Sequence, residues 1–115
     1  MPPEITLTMT EYRFELSRPV PRGRVVFRVA NRGRVPHRLV LVPLPADFPP
    51  IAEQIAGTDR RNVEPLAGIP DRPPGATGAF AVDLRPGRYA LVCFIADVDG
   101  RTHAQKGMAE EFRLR

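Results

Sequence analysis

Along the first sixteen residues, apolar side chains fall on every second position. Ile5, Leu7 and Met9 alternate with Thr6, Thr8 and Thr10; the phase then slips by one, and Tyr12, Phe14 and Leu16 carry the alternation on. A period of two is the mark of a half-buried strand. The one-residue slip predicts a β-bulge near Thr10-Glu11, which would bend one strand from one sheet to another. Pro19, Pro21 and Gly23 make a turn, after which Val25, Phe27 and Val29 alternate with Arg24, Val26 and Arg28. Asn31-Arg32-Gly33 ends that strand, because Asn and Gly tolerate positive φ. His37 to Val42 reads as a buried strand that opens on a histidine. Gly78 to Leu84 and the mostly apolar Tyr89 to Ile95 are strands separated by the turn Arg85-Pro86-Gly87. Glu111 to Arg115 is a short terminal strand with Phe112 and Leu114 facing in.

Residues 43 to 73 break this rhythm, with prolines at 43, 45, 49, 50, 65, 70 and 73. Ile51 to Ala56 after Pro49-Pro50 predicts one or two turns of helix with proline in its first turn. The stretch is too short to bury a core of its own. It therefore reads as a Pro-rich excursion from a single domain spanning 1–115, of the kind that is usually functional or mobile. Short strands punctuated by Gly and Pro turns, with at most one helix, predict an all-β sandwich.

Composition narrows the partners. Hydrophobic residues are 43% and charged residues 26%, the balance of an ordinary globular chain. The net charge is +4, and residues 1–50 hold eight Arg against Glu4, Glu11, Glu15 and Asp47. A solvated basic face is the plain reading, and a field that steers acidic partners the sharper one. The six Phe and two Tyr sit in apolar strand positions rather than interleaved with Arg, which argues against nucleic acid. No apolar run of about 18 residues is present to span a membrane as a helix. Met1-Pro2-Pro3-Glu4 shows no charged segment leading into an apolar one, so no signal peptide is visible.

The candidate chemistry lies in the rarest residues: two His, one Cys and, beyond Met1, two Met. Cys93, His103 and Met108 fall within sixteen residues, and His37 opens a strand after Asn31-Arg32-Gly33-Arg34-Val35-Pro36. Two imidazoles, a thiolate and a weak thioether form the ligand set of a blue-copper electron-transfer site. Cys93 near the end of an apolar strand, with His103 and Met108 on the connection to the last strand, places three donors at one end of a sandwich. His37 joins them from a neighbouring strand. Gly107 lets the backbone pass close to the site.

Val25 to Asn31 leading into Pro36-His37, and Gly87-Arg88-Tyr89 through Cys93 to His103-Ala104-Gln105-Lys106-Gly107-Met108, resemble the cupredoxin family, plastocyanin and azurin among them. The likeness covers most of the chain outside 43–73. It implies a Greek-key sandwich, one type 1 copper ion and one-electron transfer, not enzymatic turnover. Carried over residue by residue, His37 and His103 donate ring nitrogens, Cys93 the thiolate and Met108 the axial sulfur. It also implies a redox partner protein and work in the periplasm or outside the cell; a monomer is expected, and Arg32, Arg34 and Arg38 bias that partner toward an acidic surface. His103, on the ligand loop, is the expected electron exit. Two local departures stand out. Nine residues separate Cys93 from His103, more than in familiar members, and Ala96 to Gly100 reads as an inserted hairpin-like bulge. Arg38 stands where those proteins often carry an Asn that braces the two ligand loops.

Other readings are weaker. Asp97-Val98-Asp99-Gly100 hints at calcium, but the twelfth position from Asp97 is Met108 rather than Glu, so a tight Asp-Gly turn accounts for it. A Cys-His hydrolase lacks any sign of an orienting third group. Zinc suits Cys and two His but not Met. Copper storage or delivery, and a metal-free sandwich that binds through 43–73, remain the alternatives to electron transfer.

Overall fold

The computed structural model describes residues 2–57, 61 and 64–115. Among these residues, eight strands form two four-stranded sheets packed face to face in an all-β, Greek-key sandwich. The first sheet holds β1 (Glu4–Thr10), β2 (Arg13–Leu16), β3 (Gly23–Asn31) and β6 (Thr77–Leu84), in the order β2-β1-β3-β6. The second holds β4 (His37–Leu44), β5 (Ala67–Arg72), β7 (Gly87–Val92) and β8 (Ala109–Leu114), in the order β5-β4-β7-β8.

The predicted bulge at Thr10-Glu11 is instead a tight hairpin. β1 and β2 pair antiparallel within one sheet, Met9 opposite Phe14 and Thr10 opposite Arg13. A two-residue connection makes odd positions of one strand face even positions of the next, which produces the same one-residue slip in the sequence. Tyr12 consequently lies in the turn rather than in a strand.

The alternating positions meet between the sheets. Ile5, Leu7, Met9, Phe14, Val25, Phe27 and Val29 from the first sheet pack with Leu39, Leu41, Leu91 and Cys93 from the second. Each large aliphatic or aromatic group removed from water this way contributes about 1.5–3 kcal/mol. The apolar run Tyr89 to Val92 has a different cause: its strand is covered on both faces. Ala90 and Val92 point away from the sandwich core into a second cluster with Val42, Leu44, Ile51 and Ala104.

That outer cluster is where the excursion lands. Helix α1 (Ile51–Ile55) buries Ile51 and Gln54, and the backbone N–H of Ile51 donates to Glu111 Oε1 at 2.9 Å. Arg88 reaches across to the carbonyl of Phe48 at 2.9 Å. The excursion is also narrower than 43–73: Pro43 and Leu44 extend β4, and Ala67–Arg72 form β5, whose residues pair with β4 from Leu41 back to His37. Pro70 is tolerated because β5 is an edge strand. Positions 58–60 and 62–63 of the expected excursion lie outside the described residues.

Candidate metal centre

Strand direction brings the rare residues together. β4 and β7 run antiparallel, with Val40 opposite Val92, so the start of β4 and the end of β7 share one end of the sheet. β8 begins at the same end, with Ala109 opposite Val92. His37 has the inward phase of Leu39 and Leu41, and Cys93 that of Tyr89 and Leu91. Both are completely buried, as are His103 and Met108.

Three of the four predicted residues offer donor atoms to one point. One ligand atom each from His37, Cys93 and His103 lie within 4.8 Å of one another. His37 Nδ1 faces His103 Nδ1 at 3.1 Å, and Cys93 Sγ lies 3.5 Å from the same His103 nitrogen. Met108 belongs to the same core cluster as Cys93, and its backbone closes the loop: Cys93 N–H donates to Met108 O at 3.1 Å, and Met108 N–H donates to His103 O at 2.9 Å.

Local sequence explains how each element is held. Asn31 sits opposite Met9 at the end of β3, with the inward phase of Val29, and is 1% exposed. Its amide donates to the carbonyls of Val35 at 3.0 Å and Arg72 at 2.8 Å, and its oxygen accepts from Gly33 N–H at 2.8 Å. This buried side chain thereby fixes the loop that delivers His37. Glu11, from the β1–β2 turn, accepts from the backbone N–H groups of Arg34 and Val35 on the same loop. A Cβ on Gly33 would press on the Glu11 carboxylate and come within 2.9 Å of His37 Nε2, so any larger residue there must displace one of them.

Arg38, which departs from the Asn often found after the first histidine, reaches the sulfur through its backbone rather than its side chain. Arg38 N–H donates to Cys93 Sγ at 3.4 Å, while the Arg38 guanidinium turns outward to Asp71 at 2.7 Å. A hydrogen bond from a backbone N–H does not depend on residue type, so an Asn there is not needed for this contact.

The nine residues between Cys93 and His103 fold back as a small hairpin. Ala96 bridges Thr102, Asp97 N–H donates to Arg101 O at 2.9 Å, and Gly100 N–H closes a turn onto Asp97 O at 2.9 Å. The Asp-Gly turn read from the sequence is present, but Asp97 does more. Its Oδ1 lies 2.8 Å from His103 Nε2, and its Oδ2 accepts from Tyr12 OH and from Lys106 Nζ, both at 2.7 Å. Lys106 also lies 3.0 Å from Asp99 and stands over the Tyr12 ring, itself edge-on to His103. His103 is thus sealed. The outer edge of His103 is not open to solvent: the imidazole is buried and its outer nitrogen is covered by a carboxylate.

Charge follows from these contacts. Hydrogen bonds from Lys106 first, then Tyr12 and His103, hold the Asp97 carboxyl well below the usual carboxylate range. Asp97, then Asp99, hold the Lys106 ammonium above its ordinary value. An ionised carboxylate at 2.8 Å places the His103 proton on Nε2 and leaves Nδ1 as the lone-pair donor facing Cys93 and His37. Burial lowers the basicity of His37, which favours the neutral form that can ligate. Burial also raises the Cys93 thiol, against the backbone N–H groups of Arg38 and Ile95. A bound cation would compensate that buried thiolate and release its proton.

Sequence reasoning missed Asp97 as a functional residue, and with it Glu11, Tyr12 and Lys106. The one available signal was an Asp six positions before His103 on an overlong loop. Its direction is set by the hairpin closure, which local pattern does not report.

No family model matches this chain, and no curated protein matches it. Solved structures do. An auracyanin from Roseiflexus castenholzii superposes with a TM-score of 0.60 at 18% identity, covering 98% of this chain and 95% of that one. Auracyanin A from Chloroflexus aurantiacus, a "blue" copper protein, gives 0.61 at 18% identity over 97% and 99%. Rusticyanin from Thiobacillus ferrooxidans gives 0.65 at 14% identity over 97% and 76%. The fold is that of the cupredoxins. Within this fold, a buried thiol just after β7, an imidazole at the start of β4 and an imidazole on the inserted loop bring together the donor types of a type 1 copper site. Among the described residues, no helix is long and apolar enough to cross a membrane.

Proposed function

We propose that this protein is a one-electron carrier holding a single copper ion through His37, Cys93, His103 and, as a weak axial donor, Met108. The observation that carries the reading is the meeting of two buried imidazoles and a buried thiol within 4.8 Å at one end of the sandwich. When bound, copper supplies a Cu(II)/Cu(I) couple; mixed soft and borderline donors suit both states. The chain's own work is to keep the donors dry and fixed. Asn31 and Glu11 hold the loop before His37, the Arg38 N–H holds the sulfur, and Asp97 holds the His103 ring. Fixed donors change little between oxidation states, which keeps the barrier to electron exchange low.

Contact with a partner cannot use the sealed His103 edge. Phe94 follows Cys93 directly in the chain and is 37% exposed, giving the thiolate a short covalent path to the surface. Arg32 and Arg34 are exposed on the loop before His37 and favour a partner of acidic surface. On this reading the protein works in the periplasm or outside the cell, as the family resemblance implies.

The test is a copper titration of the purified protein. Cu(II) is expected to produce an intense visible thiolate-to-copper band that saturates at one equivalent and bleaches and returns with small redox carriers. A colourless titration would overturn the copper reading. A band that forms but does not exchange electrons within seconds would favour storage or delivery.

A further inference from the structure

The outer nitrogens of both imidazoles face carboxylates that come from outside the ligand set. Asp97 Oδ1 stands 2.8 Å from His103 Nε2, and Glu11 Oε2 stands 3.6 Å from His37 Nε2, whose nitrogen is buried without a hydrogen-bond partner. The first contact is a hydrogen bond and the second is not. Asp97 is itself immobilised by Tyr12 and by Lys106, and Lys106 is in turn paired with Asp99. A carboxylate held this way does three things to an imidazole. It fixes the tautomer, it stops the ring from rotating, and it makes the opposite nitrogen a stronger donor.

We infer that Asp97 is a positioning residue for the centre, which locks His103 with Nδ1 inward and biases the site toward the divalent state of its metal. The inference rests on the copper reading for its redox part only. A stronger imidazole donor beside a nearby negative charge stabilises Cu(II) more than Cu(I), because the interaction grows with the charge on the metal. The inserted hairpin between Cys93 and His103 then has a purpose: it carries Asp97 back over the ligand that the same loop supplies.

Asp97→Asn keeps an oxygen for the His103 N–H and removes the charge. Cu(II) affinity is expected to fall about 10-fold, within the 10- to 100-fold range typical of such outer partners, with Cu(I) affinity changing less. At a fixed ambient potential the Cu(I)-to-Cu(II) ratio then rises up to about tenfold, equal to about 59 mV for a one-electron couple. Asp99→Asn is the control: it makes the same charge change on the same loop and touches Lys106 but not His103. Its ratio is expected to move by less than half as much on the logarithmic scale. Equal shifts in the two variants, or none in Asp97→Asn, overturn the inference while leaving the copper reading intact.

A measurement on the wild-type protein needs no variant to fold and no copper band. In the Zn(II)-loaded protein, nitrogen-15 spectra of the imidazoles are expected to show His103 protonated at Nε2, with that proton protected from solvent exchange. An Nε2 proton exchanging as freely as in a peptide histidine would overturn the tautomer lock whatever the outcome with copper.

Discussion

The two histidines of the centre reach the same point from opposite kinds of structure. His37 is the first residue of β4; its inward direction is set by the pleat, and its approach is set by a loop that Asn31 and Glu11 hold mainly through backbone groups. His103 lies at the end of an inserted hairpin and is held by side chains from three places, Asp97, Tyr12 and Lys106. The first ring has an outer nitrogen without a hydrogen bond, and the second has one strongly satisfied. A ligand on a strand inherits its geometry from the sheet. A ligand on a loop must have its geometry supplied by a network, and that network brings charge with it.

The largest effect removes what both histidines share. Cys93→Ser is expected to abolish the visible charge-transfer band altogether, because the thiolate is its source; a titration of the variant that still colours would break the comparison at its root. Next comes the loop side. Gly107 has φ 129°, and a Cβ there would meet the Tyr12 carbonyl oxygen at 2.7 Å. Gly107→Ala combines backbone strain with overpacking against main chain, and a loss of about 3 kcal/mol in denaturant unfolding is expected. The band of whatever folds should shift, since Tyr12 also holds Asp97.

The sheet side should give less. Gly33→Ala drives a Cβ against the Glu11 carboxylate and the His37 ring edge. The carboxylate can withdraw in part, so a cost of about 1–2 kcal/mol is expected, with His37 rather than His103 resonances displaced. Displacement of His103 instead would show that the two supports are not separate. Arg38→Ala should be smallest. Its exposed pair with Asp71 is worth less than about 1 kcal/mol, and the band should not move, because the contact to Cys93 comes from the Arg38 backbone. A clear band shift in this variant would mean that the guanidinium acts on the sulfur after all.

Legibility in the sequence follows the same divide. The strands of β1, β3, β4, β6 and β7 were readable from Ile5-Leu7-Met9, Val25-Phe27-Val29 and the apolar run through Cys93, because period-two burial is a local property. The β1–β2 hairpin reads as a bulge in the sequence, since both devices shift the phase by one and only pairing distinguishes them. β5 was hidden by Pro70 and by facing the core with Ile69 as its one buried residue. The outer-face burial of Val42, Ala90 and Val92 depends on where α1 lands, which no local pattern records.

Residue order settled the donor chemistry and the elements that carry it: one Cys at the end of an apolar strand, a His opening another, and a His and a Met on a loop before the last. It did so because ligand softness and side-chain alternation are written residue by residue. Tertiary structure alone decided that the outer edges of the imidazoles meet Asp97 and Glu11, that His103 is sealed from solvent, and that a backbone N–H rather than the Arg38 side chain touches the sulfur. Those contacts join residues from the β1–β2 turn, the start of β4 and the inserted hairpin. Their partners are fixed by how strands register and how a loop closes, and a chain read one window at a time contains neither.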